Sequence, residues 1–168
     1  MYGIRPFAGL TAFSADSGSS DDSRIFDAVQ SSSLGTTSFM GRNASGVIAI
    51  RHKKDDMINS LNIITPENAK TTRLLVVMER GYGKQTKLSE YKTQARGGSG
   101  IKTAKITPKT GVVVSAHAVS EEEELFVLSA KGQIIRTTIA SVRTASRATQ
   151  GVKIMNINAT DKIIGTIC

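Results

Sequence analysis

Arg96-Gly97-Gly98-Ser99-Gly100-Ile101 has a looser relative on either side: Arg42-Asn43-Ala44-Ser45-Gly46-Val47 precedes it and Arg147-Ala148-Thr149-Gln150-Gly151-Val152 follows it. The shared pattern is Arg-x-x-x-Gly and then Val or Ile, and its glycines Gly46, Gly100 and Gly151 stand 54 and 51 residues apart. A second landmark keeps step with the first. Leu75-Val76-Val77 with Gly81 and Thr86 answers to Phe126-Val127-Leu128 with Gly132 and Thr137, again at an offset of 51. Two landmarks at one period define a tandem structural unit, and periods of about 40 to 50 residues are those of propeller blades.

Inside the clearest copy, short apolar or alternating runs over 101–106, 112–119, 125–129 and 133–138 are separated by turn-forming residues, which predicts four strands per repeat. The preceding copy predicts strands over 47–52, 57–64, 74–78 and 84–88, and the last copy predicts only 152–157 and 162–167. The chain therefore reads as all-β, with one four-stranded blade over about 40–93, a second over about 94–144 and a half blade over about 145–168. A half blade leaves an open sheet edge, and ring-shaped repeat folds remove such edges by letting one part of the chain complete a blade begun by another. Residues 1–39 match the repeat poorly. Their Ser/Asp-rich tract from Ser14 to Ser38 is low in apolar content and is expected to be a mobile loop or partly disordered.

Charge divides along the same boundary. Residues 1–39 carry Arg5 and Arg24 against Asp16, Asp21, Asp22 and Asp27, so the basic excess behind the net charge of +8 lies wholly in the repeat region. A basic excess gathered on one face attracts a polyanion, and DNA is the commonest. Other chemistries find little support. Cys168 is the single cysteine, which leaves no internal disulfide and points to a reducing compartment, taken here as the cytoplasm. His52 and His117 have no partners at metal-ligand spacing and read as strand residues. No apolar stretch is long enough to span a membrane. The run Glu121 to Glu124 falls between two predicted strands and reads as a solvated turn.

The stretches Met40 to Val47, Gly81-Tyr82-Gly83-Lys84-Gln85-Thr86-Lys87-Leu88-Ser89-Glu90-Tyr91, Gln94 to Gly100 and Arg147 to Val152 resemble the late repeats of the C-terminal domain of bacterial DNA gyrase A. The resemblance runs from about Ser38 to the end of the chain. It implies a β-pinwheel, a propeller-like ring whose blades exchange strands and whose basic rim wraps duplex DNA without reading its sequence. In that family a Gln-Arg-Arg-Gly-Gly-Lys/Arg-Gly box in the first blade serves the wrapping. Gln94 to Gly100 is a degenerate version, with Ala95 and Ser99 at basic positions. The resemblance further implies the rest of gyrase A and gyrase B as partners, with ATP and Mg²⁺ belonging to the assembled topoisomerase and no cofactor to this chain.

The DNA-contacting residues expected on this basis are Arg42, Lys84, Arg96, Gly97, Gly98, Gly100, Lys102, Arg147 and Lys153. Glycines let backbone N–H groups approach a phosphate, and a guanidinium offers it a planar fork. Arg42 and Arg147 have a second reading, in which the Arg and Gly only build a turn between blades. No catalytic residue is expected: Tyr82 and Tyr91 lack the adjacent arginine and the carboxylate cluster that a strand-cleaving tyrosine needs, and read as packing or rim residues. Two other functions fit the same residues, the corresponding C-terminal domain of topoisomerase IV and a propeller-like scaffold for acidic protein partners.

Overall fold

A computed structural model describes residues 10–16, 23–28, 43, 45, 48, 50, 51, 56–64, 69–92, 97–121 and 123–168. Eleven strands run through them: β1 (Leu10–Asp16), β2 (Ser23–Ala28), β3 (Asp56–Ile63), β4 (Arg73–Met78), β5 (Tyr82–Lys87), β6 (Ile101–Ala104), β7 (Val113–Val119), β8 (Glu124–Ser129), β9 (Ile134–Thr138), β10 (Val152–Lys153) and β11 (Ile163–Ile167). Among these residues helical structure is confined to two 3-10 turns, Leu88–Glu90 and Ile139–Ser141.

The strands form three antiparallel sheets, ordered β3-β1-β2-β6, β10-β5-β4-β7 and β11-β8-β9. No sheet is built from four consecutive strands of one sequence repeat. Each has at its centre a hairpin, and the flanking strands come from later in the chain. The hairpin's first strand takes the second strand of the next repeat (β1 with β3, β4 with β7, β8 with β11). Its second strand takes the first strand of the repeat after that (β2 with β6, β5 with β10). This exchange of strands between blades is the β-pinwheel arrangement. The two strands of the last repeat accordingly belong to two different sheets.

Within the tract from Ser14 to Ser38, the described residues 14–16 and 23–28 depart from the mobile or poorly ordered segment expected there. Ser14 to Asp16 complete β1, and Ser23–Ala28 form β2, which pairs with β1 on one side and β6 on the other. Sheet pairing satisfies the backbone whatever the side-chain composition, so a polar tract can still supply a strand.

The middle sheet is covered on both faces. Along β4, Leu74, Val76 and Met78 face one apolar cluster that includes Ala104 of β6 and Ala116 of β7. Leu75 and Val77 face the other, with Leu125, Val127, Ile139 and Ile163. That is why Leu74 to Met78 is a continuous apolar run rather than an alternating one. At about 25 cal/mol per Å² of apolar area, each of these buried side chains contributes roughly 1.5–3 kcal/mol.

The second strands of successive repeats also meet. Asn59 and Asn62 of β3 donate through Nδ2 to the carbonyls of Val113 and Ala116 on β7 (3.3 and 3.1 Å), and Ala118 N–H donates back to Asn62 Oδ1 at 3.0 Å. On the other side of β7, Thr166 of β11 bonds Ser115 and His117 through its hydroxyl. His117 is thus a strand residue, and burial lowers its pKa, partly opposed by the Thr166 bond. His52 and the predicted strand over 47–52 fall mostly outside the described residues.

Candidate nucleic-acid interface

The Gly81 to Tyr91 stretch holds the Arg147 to Gly151 box in place. Its strand, β5, presents Lys84, Gln85 and Thr86 to the segment that links β9 to β10, which contains Arg147 and Gly151. Gln85 donates through Nε2 to the carbonyls of Ile139 (2.5 Å) and Val142 (2.8 Å), and its backbone takes Arg143 O and Ala145 N–H. Thr86 Oγ1 donates to Ala145 O at 2.9 Å. Lys84 Nζ donates to Ser146 O at 2.7 Å, to Arg147 O, and to Thr149 Oγ1 at 3.2 Å.

Lys84 is therefore not the rim cation that its charge suggested. Its side chain has no exposed surface, and its three donors go to the underside of the box loop. Burial pushes its pKa down to about 8; Glu90 opposes that shift and Arg147 adds to it. A lysine can be buried when each of its N–H groups finds an acceptor, as here.

Arg147 sits on the half-buried rim of the same loop. Its N–H is accepted by Glu90 Oε2 at 3.1 Å, its Nη1 lies 3.5 Å from Lys102 O, and its guanidinium stands 5.9 Å from the centre of the Tyr91 ring. Tyr91 is buried, with its hydroxyl 2.7 Å from Thr103 Oγ1, and burial raises its pKa. Tyr91 is thus a packing residue. Tyr82 lies beneath Lys109, whose Nζ is 5.6 Å from the ring centre.

Gly151 has a structural duty of its own. At φ +78° a side chain is strained, and a Cβ there would lie 2.4 Å from Gly83 O, so the loop returns onto β5 only because the residue is glycine. In the earlier box, Gly97 and Gly100 also have positive φ (73° and 77°), but a Cβ at Gly97 would meet only ordinary contacts.

The two boxes dock in the same way on the first strand of the repeat before them. Arg51 N–H donates to Gly98 O at 2.9 Å, and Lys105 N–H donates to Thr149 O at 3.1 Å. Arg51 Nε would lie 3.9 Å from a Cβ at Gly97, which puts its guanidinium beside that turn. A cation thus stands at each junction, Arg51 at the Gly97–Gly100 loop and Lys105 at the Arg147–Gly151 loop. Neither residue stood out in the sequence, although both fall five positions after a repeat glycine, a place that Asn156 takes in the last copy.

Of the expected contact residues, Gly97, Gly98 and Gly100 share one loop, while Arg147 and Lys102 meet at the neighbouring junction with exposed Lys153 two residues beyond Gly151. Arg42 and Arg96 lie outside the described residues. Of the Glu121 to Glu124 run, Glu121 pairs with Arg73, Glu124 pairs with Arg136, and Glu123 accepts from Ser120 Oγ at 3.0 Å. Among the described residues no group of three or more His, Cys, Asp or Glu side chains is arranged to hold a metal, and no helix is long and apolar enough to cross a membrane.

The model of the DNA gyrase C-terminal domain, beta-propeller family matches residues 38–65, 73–120 and 123–168. This chain belongs to that family. The gyrase-type repeat accounts for the strand exchange and for the recurrence of the box. The DNA gyrase A protein of Mycolicibacterium smegmatis is 42% identical over 125 residues, 74% of this chain and 14% of the relative. Its Deinococcus deserti counterpart is 41% identical over 126 residues, 74% of this chain and 15% of the relative. The chain thus spans about one-seventh of the relatives it matches. Its fold is also that of a solved DNA gyrase A C-terminal domain (TM-score 0.68, 24% identity, 95% of this chain and 50% of the other). The C-terminal domain of DNA topoisomerase IV is similar as well (TM-score 0.76, 18% identity, 96% and 46%).

Proposed function

We propose that this chain is a duplex-binding and duplex-bending module of DNA gyrase A, acting with the rest of gyrase A and with gyrase B in the bacterial cytoplasm. The observation that carries this reading is the docking of successive boxes, each with a cation at the junction with the repeat before it, in a chain with a net charge of +8. Cations spaced along a curved array neutralise successive phosphates, and their contacts offset the elastic cost of bending, on the order of 1 to 10 kcal/mol for 20 to 30 base pairs. Recognition of this kind reads charge and shape, so affinity should be nearly independent of sequence. ATP and Mg²⁺ would act in other parts of the assembled enzyme, and this chain would contribute no catalytic group. Relatives at 42% and 41% identity that are both gyrase proteins favour gyrase over topoisomerase IV.

The test is a titration of the chain with duplexes of unrelated sequence at several salt concentrations. Affinity should fall steeply with salt and alike for all duplexes. Arg147→Ala and Lys105→Ala should each flatten the logarithmic salt slope by about one. A chain that fails to bind duplex at low salt would instead be a protein-binding scaffold.

A further inference from the structure

One peptide of the Arg147 to Gly151 box is gripped from both sides. Lys84 Nζ donates to Ser146 O at 2.7 Å and to Arg147 O, and Glu90 Oε2 accepts the backbone N–H of Arg147 at 3.1 Å. Among the described residues every peptide bond is trans, and a trans peptide points its C=O and N–H in opposite directions. The Ser146–Arg147 peptide therefore has its oxygen on the ammonium and its hydrogen on the carboxylate, and its plane cannot turn without losing one of them. Because Arg147 O also faces Lys84, the next N–H, that of Ala148, points away from the buried side. The flanks are tied as well: Thr86 Oγ1 donates to Ala145 O at 2.9 Å, and Ala145 N–H donates to Gln85 O at 2.8 Å.

Held in this way, the loop turns its tip to solvent. Ser146 and Ala148 are exposed and Arg147 is half-buried, with its guanidinium 5.9 Å from the Tyr91 ring centre. Lys84 has no exposed surface, so its ammonium cannot itself reach a ligand in solvent. Burying that ammonium is unfavourable enough to bring its pKa down to about 8, and an apolar side chain of similar volume would occupy the space at no greater cost. The hairpin does not require the pair either. Ile135 and Ser141 stand at the positions corresponding to Lys84 and Glu90 in the next repeat, where β8 and β9 pair as β4 and β5 do. What Lys84 and Glu90 supply is the orientation of the loop.

We propose that Lys84 and Glu90 are positioning residues of the duplex interface, which touch no phosphate and act by fixing the loop so that Arg147 meets one. This role presupposes the duplex binding proposed above, and it gives a carboxylate a favourable part in holding a polyanion. By charge alone Glu90 repels a phosphate. Through the Arg147 N–H it keeps an arginine in place. The two effects have opposite signs, which makes them separable.

The experiment measures the affinity of the 168-residue chain for duplex DNA at several salt concentrations. Lys84→Met fills the same space without donors. It should weaken binding several-fold and flatten the logarithmic salt slope by about one, as Arg147→Ala does, although Lys84 is buried. The double variant Lys84→Met/Arg147→Ala should have the slope of Arg147→Ala alone, since both changes remove the same contact. Glu90→Leu removes a negative charge together with the acceptor for Arg147 N–H, and should bind several-fold more weakly with the flatter slope. Glu90→Gln removes the same charge but keeps an oxygen for that N–H, and should restore the binding that Glu90→Leu loses. Should Lys84→Met fail to fold, the two Glu90 variants, on a half-buried turn, decide alone. A Lys84→Met chain with the wild-type slope, a double variant flatter than Arg147→Ala by a further unit, or a Glu90→Leu chain that binds as tightly as Glu90→Gln overturns the proposal. A wild-type chain that binds no duplex overturns the duplex-binding function, and this role with it, before any variant is compared.

Discussion

β5 and β9 hold the same place in successive repeats, yet β5 hides a lysine from water while β9 leaves an isoleucine exposed. The exposed isoleucine is Ile134, the counterpart of Gly83, while Lys84 corresponds to half-buried Ile135 and Gln85 to exposed Arg136. The difference lies in what comes up against each strand from later in the chain. β5 is covered by the segment 139–155, and its polar side chains exist to receive it. β9 has no such cover among the described residues, and its alternation of exposed and half-buried residues is that of an edge strand. Burial in this fold is thus decided about one repeat away from the residue concerned.

The sharpest way to break that comparison is a matched pair of glycine substitutions. Gly81 and Gly132 have nearly the same backbone, φ +79° and +81°, so an alanine suffers the same left-handed strain at either, roughly 1–2 kcal/mol. At Gly81 the new Cβ must also push aside the Met155 carbonyl 2.2 Å away, whereas at Gly132 it enters open space. Gly81→Ala should cost about 4 kcal/mol in chemical denaturation, and Gly132→Ala only the strain common to both. Equal losses would mean that the 139–155 segment is not seated on β5.

Lys84 gives the next largest effect. Its folded pKa of about 8 lies below the ordinary 10.5, so between those values the unfolded chain holds more protons than the folded one. Stability from this group therefore rises as pH climbs from about 8 to 10.5 and is flat below. The full change is about 3 kcal/mol. Lys84→Met should lack that rise, so the wild type should gain on the variant in urea midpoints measured across the window. A constant difference would mean that the ammonium is hydrated rather than buried.

These positions also show how far the sequence could be read. The repeat period and the places of strands β4 to β9 were legible to within about two residues, because alternation and turn glycines are local signals. Strand partners were not legible from those signals, since every sheet joins residues from different repeats. Lys84 was misplaced at the rim for the same reason: its charge speaks for water, and the acceptors that bury it lie more than 60 residues away. Arg51 and Lys105 did not stand out because their place at the junctions depends on a backbone contact with the next box. Arg147 and Lys102, both expected at the rim from the repeat pattern, meet at one junction.

The smallest predicted effect comes from comparing Gln85 with its counterpart Arg136. Gln85 Nε2 supplies the carbonyls of Ile139 and Val142 inside the molecule, where water cannot replace it. Gln85→Leu keeps the volume and strands two acceptors, which should cost about 2 kcal/mol. Arg136 makes two bonds to Glu124, one of 2.9 Å from Nε, and that pairing holds the Glu124 carboxyl below its usual pKa. Its guanidinium is also 5.9 Å from the Phe126 ring centre, so it has a carboxylate and an aromatic ring for partners. Yet Arg136 and Glu124 are both exposed, and water restores most of what a substitution removes. Arg136→Leu should therefore leave the denaturation midpoint of the monomer unchanged. A loss as large as that of Gln85→Leu would show that β9 is covered in solution as β5 is by the segment 139–155, and the contrast between the two strands would fail.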